Sequence, residues 1–552
     1  MILLPIVGRE LRVAARRSGT YHGRTWLALG ALVLAGVVLG IHHLSRGGTA
    51  MPAGQVLFEV FKWLSFVAAA SSGLFLTSDC LSDEKREGTL GLLFLTDLRG
   101  YDVVLGKLAT HGLQAVYAFL AAFPILGTTF LLGGVTGTDF LRVILLLLNT
   151  AFLSLSVGAL VSAVSREAPR ALTATMALLI GLFGGIPLLD ALLAKFLGTK
   201  GVILGWLSPS YTMAMVGSRQ PGIYGEGMLG ITLMGLGCLV ASSLILPRAW
   251  QPSTGKERRR SRPDARRDVG AGVQPLPTPR RRVLNRIPIA WLASRHRWIS
   301  WALWIGVGLT VLILGIQYAY TPTAKPVAPG TVQFDGVPRL MVQLLIGFVR
   351  LWIAIQACRF WTEARSSGAM ELLLVTPIRP RDIIAGHWRA LRLTFLPPMG
   401  ILLLVLGAVG YEQMLQMEQM NRAAFTAPGS NISAAEVERI LSELRNQMRV
   451  QLGFELLHQL STFVALAWFG MWMGMITPRI HVAVAKTLIL ADLLPALATL
   501  LAFMAIQMSA SRIFTGTGSS IWFGYGAEGC LSLLFDGILV FIAWRRVRRW
   551  TG

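Results

Sequence analysis

Charge is what this 552-residue chain lacks. Only 14% of its residues are Asp, Glu, Lys or Arg, while 54% are hydrophobic. So thin a charged surface excludes a water-soluble globule of this length and points to a membrane protein. Acids are scarcer still, 28 against 51 Lys plus Arg, for a formal net charge of +23. In a soluble chain that excess suggests nucleic acid. Here the basic residues stand beside apolar spans, where retention of Lys and Arg on the cytoplasmic side accounts for them, and no nucleic-acid partner is expected. Cysteine is almost missing: Cys80, Cys238, Cys358 and Cys530 lie in or beside apolar segments without CxxC or Cys/His spacing. They read as reduced packing residues, and no metal site is expected.

Catalytic signatures are absent as well. The 8 histidines include no HExxH, and His42-His43 just after the first apolar span reads as interfacial. No Ser/His/Asp order or carboxylate pair marks a reaction centre, so no catalytic residue is expected. Walker A requires G-x-x-x-x-G-K-[ST], because backbone amides cradle the phosphates and the hydroxyl reaches magnesium. The nearest run, Gly100 to Gly106-Lys107-Leu108, has one residue too many between its glycines and no hydroxyl after the lysine. The chain is not expected to bind ATP by that route.

Long apolar runs are what the sequence does have. A hydrocarbon core about 30 Å thick requires about 20 apolar residues in a helix. Spans of that kind fall near 25–43, 57–78, 110–133, 142–164, 171–190 and 228–246, and again near 298–316, 340–358, 393–410, 456–477, 483–508 and 528–544. The predicted fold is all-α, a polytopic membrane protein of about twelve transmembrane helices in two six-helix halves. The halves are residues 1–250 and 286–552, joined by a basic cytoplasmic linker at 251–285 that contains KERRRSRPDARR. Arg9, Arg12, Arg16, Arg17 and Arg24 precede the first span with no cleavage site after it, so that span is expected to stay in the protein. Basic flanks place both termini, the 79–109 loop and the 359–392 loop on the cytoplasmic side. On the opposite side, within 411–455, Ser433 and Glu436 read as a capping box ahead of an amphipathic stripe of Val437, Ile440, Leu441, Leu444 and Met448. A helix resting on the outer face is expected there.

Few ionisable groups fall in or near the spans: Glu59, Lys62, Asp190, Asp492, Glu528 and Asp536. Glu59 and Lys62 are placed to neutralise each other, and Asp190 and Asp492 stand at span ends. Asp536 sits inside the twelfth span, so it either lines a polar path or is capped by a neighbouring helix.

The chain also repeats itself. EKREGTLGLLFLTDLRGYDVVLGK at 84–107 returns as ARSSGAMELLLVTPIRPRDIIAGH at 364–387, with Gly88, Leu92, Leu93, Thr96, Arg99, Asp102 and Gly106 recurring as Gly368, Leu372, Leu373, Thr376, Arg379, Asp382 and Gly386. Each copy lies between the second and third span of its half. It is too charged to cross a membrane and too apolar to float in water, which predicts a short amphipathic helix and an elbow.

These segments resemble the coupling region of type-2 ABC exporter permeases: GluGlyThrLeu, a leucine run, Thr, and GlyLys just before a span. ProIleValGlyArgGluLeuArgValAlaAlaArgArg at 5–17, AsnArgIleProIleAlaTrpLeuAlaSerArgHisArgTrp at 285–298 and TrpLeuSerProSerTyr at 206–211 are similar to other parts of that family. The second copy departs at Ser367 and His387, where Glu87 and Lys107 stand in the first. The resemblance implies a permease subunit in the cytoplasmic (inner) membrane, moving substrate outward on ATP hydrolysed, with magnesium, by separate ATP-binding subunits, two per chain. It implies that force is received through Glu84, Glu87, Gly88, Thr96, Arg99, Asp102 and Gly106 in the first copy and Gly368, Thr376, Arg379, Asp382 and Gly386 in the second. The rival readings are a proton-coupled transporter, a membrane-embedded enzyme and a non-ATP-driven assembly scaffold.

Overall fold

In a computed structural model of the chain, the described residues are chiefly 29–40, 52–95, 99–190, 204–217, 221–249, 303–312, 337–425, 433–499 and 519–550. Several sequence expectations fall outside them: the arm at 5–17 apart from Gly8 and Arg12, Thr96, His42 and His43, the linker at 251–285, the lead-in at 285–298 and the side chain of Glu528.

Among the described residues every regular element is helical, and nine helices are long and apolar enough to cross a membrane. These nine carry the second to sixth and the eighth to eleventh expected spans. The first and seventh are represented by shorter apolar stretches, Leu29–Gly40 and Leu303–Leu312. The twelfth falls on the helix Ser519–Trp550, which is not among the nine. The protein is a multi-pass membrane protein.

The chain divides into two compact units, Met1–Gly272 and Val273–Gly552. In the first, α1 (Ala53–Leu76), α2 (Cys80–Glu87), the short α3 (Thr89–Phe94), α4 (Gly100–Leu131), α5 (Gly137–Val164), α6 (Ala168–Ile180), α7 (Pro209–Ala214) and α8 (Pro221–Ala249) follow in order. Helix α5 is the hub, packed on α1, α4, α6 and α8. Little hydrophobic force draws helices together in lipid, so close approach of backbones must do it. Gly73 and Gly158 provide it. A Cβ on Gly73 would lie 1.8 Å from the Ser154 carbonyl oxygen, and one on Gly158 would lie 2.2 Å from Thr77 Oγ1. Ser154 Oγ accepts the Gly73 amide at 2.9 Å, and Thr77 Oγ1 donates to the Leu155 carbonyl at 2.9 Å.

The second unit repeats the plan with α9 (Val337–Ser366), the short α10 (Ala369–Val375), α11 (Pro380–Phe425), α12 (Ala434–Ile476), α13 (Ile480–Leu488) and α14 (Ser519–Trp550). Helix α12 is its hub, against α9, α11, α13 and α14. Small residues again mark the crossing: a Cβ on Gly470 would lie 2.7 Å from that of Ala357, and one on Gly474 would lie 2.7 Å from the Cys358 carbonyl oxygen. Each unit also carries one five-residue π-helical turn, Gly181–Gly185 directly after α6 and Ile489–Leu493 directly after α13.

The segment of the second unit expected on the outer face differs from expectation. Ser433 does cap a helix, its Oγ accepting the Glu436 amide at 3.3 Å, but that helix runs unbroken into the next span. With 46 residues in α11 and 43 in α12, each helix is about 60–70 Å long, roughly twice a hydrocarbon core. Helix α11 even runs through Pro397 and Pro398. The polar continuation is stapled between the two helices by Arg445 to Glu418 at 2.6 Å and Arg422 to Glu438 at 2.8 Å. Its apolar stripe is spent partly on the hairpin, with Val437 and Leu441 buried.

Candidate functional site

The duplicated segments fold alike. In each, a helix ends at a glycine in the left-handed region, Gly88 at φ 72° and ψ 2°, Gly368 at φ 70° and ψ 1°. An L side chain rarely adopts that backbone, and at both positions a Cβ would otherwise meet open space, so conformation and not crowding requires the glycine. The chain then turns directly into the short helix, α3 or α10. It leaves through an identical turn into the next long helix: the Asp102 amide donates to the Arg99 carbonyl at 3.0 Å, and the Asp382 amide to the Arg379 carbonyl at 2.8 Å. In the first copy the buried Asp102 carboxylate also accepts the Arg99 amide at 3.0 Å. Asp382 is exposed.

Each elbow is anchored by a cation that sequence comparison by identity overlooks. Lys85 Nζ donates to the Ala163 carbonyl at the end of α5 and lies 3.5 Å from the Ser165 carbonyl. Arg365, at the same place in the repeat, donates to the Met475 and Ile476 carbonyls at 3.0 and 3.1 Å, at the end of α12. A helix C-terminus leaves carbonyls without partners and carries partial negative charge, so a cation there satisfies both.

What the elbows present outward is also paired. Leu90 is 1% exposed in a core with Leu81, Val103, Val104, Ala163 and Leu246, and so fixes the roll of α3. Leu92 and Leu95 then stand 64% and 82% exposed, and Leu372 and Val375, their repeat partners, 73% and 87%. Glu87, Gly88, Thr376 and Arg379 are exposed beside them, and Arg99 closes the first elbow; Gly106 and Gly386 are buried inside α4 and α11.

The stems differ in one respect. Glu84 Oε1 and Lys107 Nζ form a half-buried ion pair at 2.8 Å, with Thr89 Oγ1 donating to the same carboxylate. Their repeat positions hold Ala364 and His387. There the buried His387 ring stacks on Phe360, centroids 4.8 Å apart and planes 21° apart, and meets the Trp361 edge. An electrostatic lock in one copy is an aromatic lock in the other.

Of the charges near the spans, Glu59 and Lys62 pair at 2.7 Å. Asp190 Oδ1 accepts the Leu204 amide at 2.6 Å, holding the turn at Gly205–Leu207 that belongs to the 206–211 segment. Asp492, on the π-turn, takes Arg350 at 2.7 Å, and that guanidinium also reaches Gln459 at 2.7 Å. Gln343 donates to Glu455 at 2.9 Å. Asp536 meets Ser461, Thr462 and His458. Sequence scanning missed Arg350, Glu455, His458 and Gln459. The signal was an arginine in the middle of the 340–358 span and polar residues three and four apart at 455–462.

The family model described as ABC-2 family transporter protein matches residues 52–222, a stretch that contains the whole first elbow and ends at the start of α8. No curated protein matches the chain.

Proposed function

We propose, starting from the match of residues 52–222 to the family model described as ABC-2 family transporter protein, that the chain is the membrane-spanning permease subunit of an ATP-driven exporter. A permease of this kind is a transport component and performs no catalysis itself. Separate ATP-binding subunits supply the energy, and the two elbows, Glu84–Lys107 and Ala364–His387, are where they dock, one per elbow. Both elbows and both termini then face the cytoplasm across the inner membrane, as the basic flanks require.

The observation that carries this reading is the matched pair of exposed apolar residues, Leu92 with Leu95 and Leu372 with Val375, each on or directly after a short helix behind a left-handed glycine. Four large apolar side chains this exposed on basic, polar segments are costly against water and gain when a partner's pocket covers them. The stems suit force transfer. Lys85 and Arg365 tie each elbow to the C-terminal end of a hub helix, so a push on α3 or α10 is delivered to α5 or α12.

Co-purification tests it. Tagged chain should retain the ATPase subunit encoded beside it; Leu95→Asp or Val375→Asp should weaken retention, and the double variant should abolish it while membrane insertion is unchanged. Full retention by the double variant, or substrate transport without any ATPase subunit, overturns the reading.

A further inference from the structure

The second unit buries a carboxyl for which ATPase docking has no use. Asp536 is 1% exposed on α14, and its polar neighbours come from one turn of α12, the hydroxyls of Ser461 and Thr462 in hydrogen-bonding geometry and the His458 ring close by without it. Ser461 Oγ donates to Oδ2, Thr462 Oγ1 lies 3.2 Å from it, and His458 Nδ1 lies 3.3 Å from it. Yet both hydroxyls have a second acceptor, the His458 carbonyl, at 2.9 and 2.8 Å. A hydroxyl has one hydrogen, so each serves the carbonyl or the carboxylate and not both. Oδ1 is closed off from solvent and has no hydrogen-bond partner among the described residues.

In a membrane interior an ionised carboxylate with one oxygen unsatisfied is heavily penalised. Adding a proton to Oδ2 resolves the conflict. The charge disappears, the new O–H donates to Ser461 or Thr462, and both hydroxyls turn their hydrogens to the His458 carbonyl. Oδ1 is left as a neutral carbonyl oxygen, which tolerates a missing partner far better. A metal ion is a poor alternative, since among the described residues no cluster of three or more His, Cys, Asp or Glu is placed to hold one. The proton is the cation that requires no volume.

We propose that Asp536 and His458 form an intramembrane proton-binding site. His458, whose ring is 30% exposed against 2% for Asp536, is the route by which the proton enters. With the proton bound, α14 stays packed on α12 as seen here. Without it, Oδ1 requires a donor that no described residue supplies, which favours water entry or a shift of α14 along α12. The remaining charges near this level are already engaged: Arg350 of α9 with Asp492 of the π-turn, and Glu455 of α12 with Gln343 of α9. Between Leu531 and Trp544, α14 has no second charged residue.

The site does not depend on ATPase docking, and its test does not involve transport. Infrared difference spectra of the full chain in phosphatidylcholine vesicles, stepped through pH, report the carbonyl stretch of a protonated carboxyl. The expected result is a band that appears and disappears with pH, is lost in Asp536→Asn, and changes at a different pH in His458→Gln. Thr462→Val, which retains the carboxyl, should keep the band and shift it in frequency, separating loss of the site from loss of the fold. A carboxyl that gives no such band at any pH, one that keeps it at every pH, or a His458→Gln spectrum identical to wild type overturns the proposal.

Discussion

Gly88 and Gly368 are separated by 280 positions yet agree within 2° in both φ and ψ. At this scale the repeat is a statement about backbone. An alanine at either site is held in the left-handed region at a cost of about 1–2 kcal/mol. Gly88→Ala and Gly368→Ala should each lower the thermal unfolding midpoint of the purified protein, whereas Gly127→Ala, an ordinary helical glycine with open space around it, should leave it unchanged or raise it. The two stems permit a sharper comparison. His387→Lys puts a cation among Phe360 and Trp361 with only Ala364 where the first copy has Glu84, so it should destabilise by roughly 2–4 kcal/mol as a buried charge without its partner. Adding Ala364→Glu rebuilds the first copy's ion pair and should recover a large part of that loss. Chemical denaturation of the single and double variants measures the coupling, and equal losses would mean that the stems are not interchangeable. The sequence made the glycines and Asp102 with Asp382 legible because they are identical. It hid Lys85 and Arg365, which do the same work at a helix end with different letters.

At the scale of elements, hydropathy located the long apolar helices well, because about 20 apolar residues admit few alternatives. It did not show where those helices stop. Residues 411–455 read as a separate outer helix because polarity changes there, but a change of polarity does not end a helix, and α12 meets no proline from Ala434 to Ile476. Arg445, Glu418, Arg422 and Glu438 are the consequence, a set of cross-hairpin ion pairs that no periodicity within one helix reveals. Ser433→Ala removes the cap on this extension and should cost about 1 kcal/mol locally. Amide exchange near 434–448 should therefore quicken while the span at 456–476 is unaffected. Faster exchange through the whole of α12 would show the extension and span to be one cooperative unit.

For the molecule as a whole, two units with a hub helix each, a π-turn each and an elbow each give the frame in which the duplicated segment makes sense. The doubling was legible in the sequence, and the apolar pairs on the two elbows were visible as three leucines and a valine. Their exposure was not, since whether Leu90 or Leu92 faces inward depends on the core that α4, α5 and α8 build beneath α3. The divergence of the stems means that the two elbows need not respond alike: raised salt should weaken the Glu84–Lys107 lock and spare the aromatic one. The central claim is that both elbows are docking points for a separate ATPase, and crosslinking tests it most directly. Leu92→Cys and Leu372→Cys, each introduced into a chain without its own cysteines, are treated in inside-out vesicles with a short thiol crosslinker in the presence of the ATPase subunit. Crosslinks to that subunit from both positions, lost when it is stripped from the membrane, are the predicted result; both cysteines reacting only from the outer side, or neither ever joining the subunit, would contradict it.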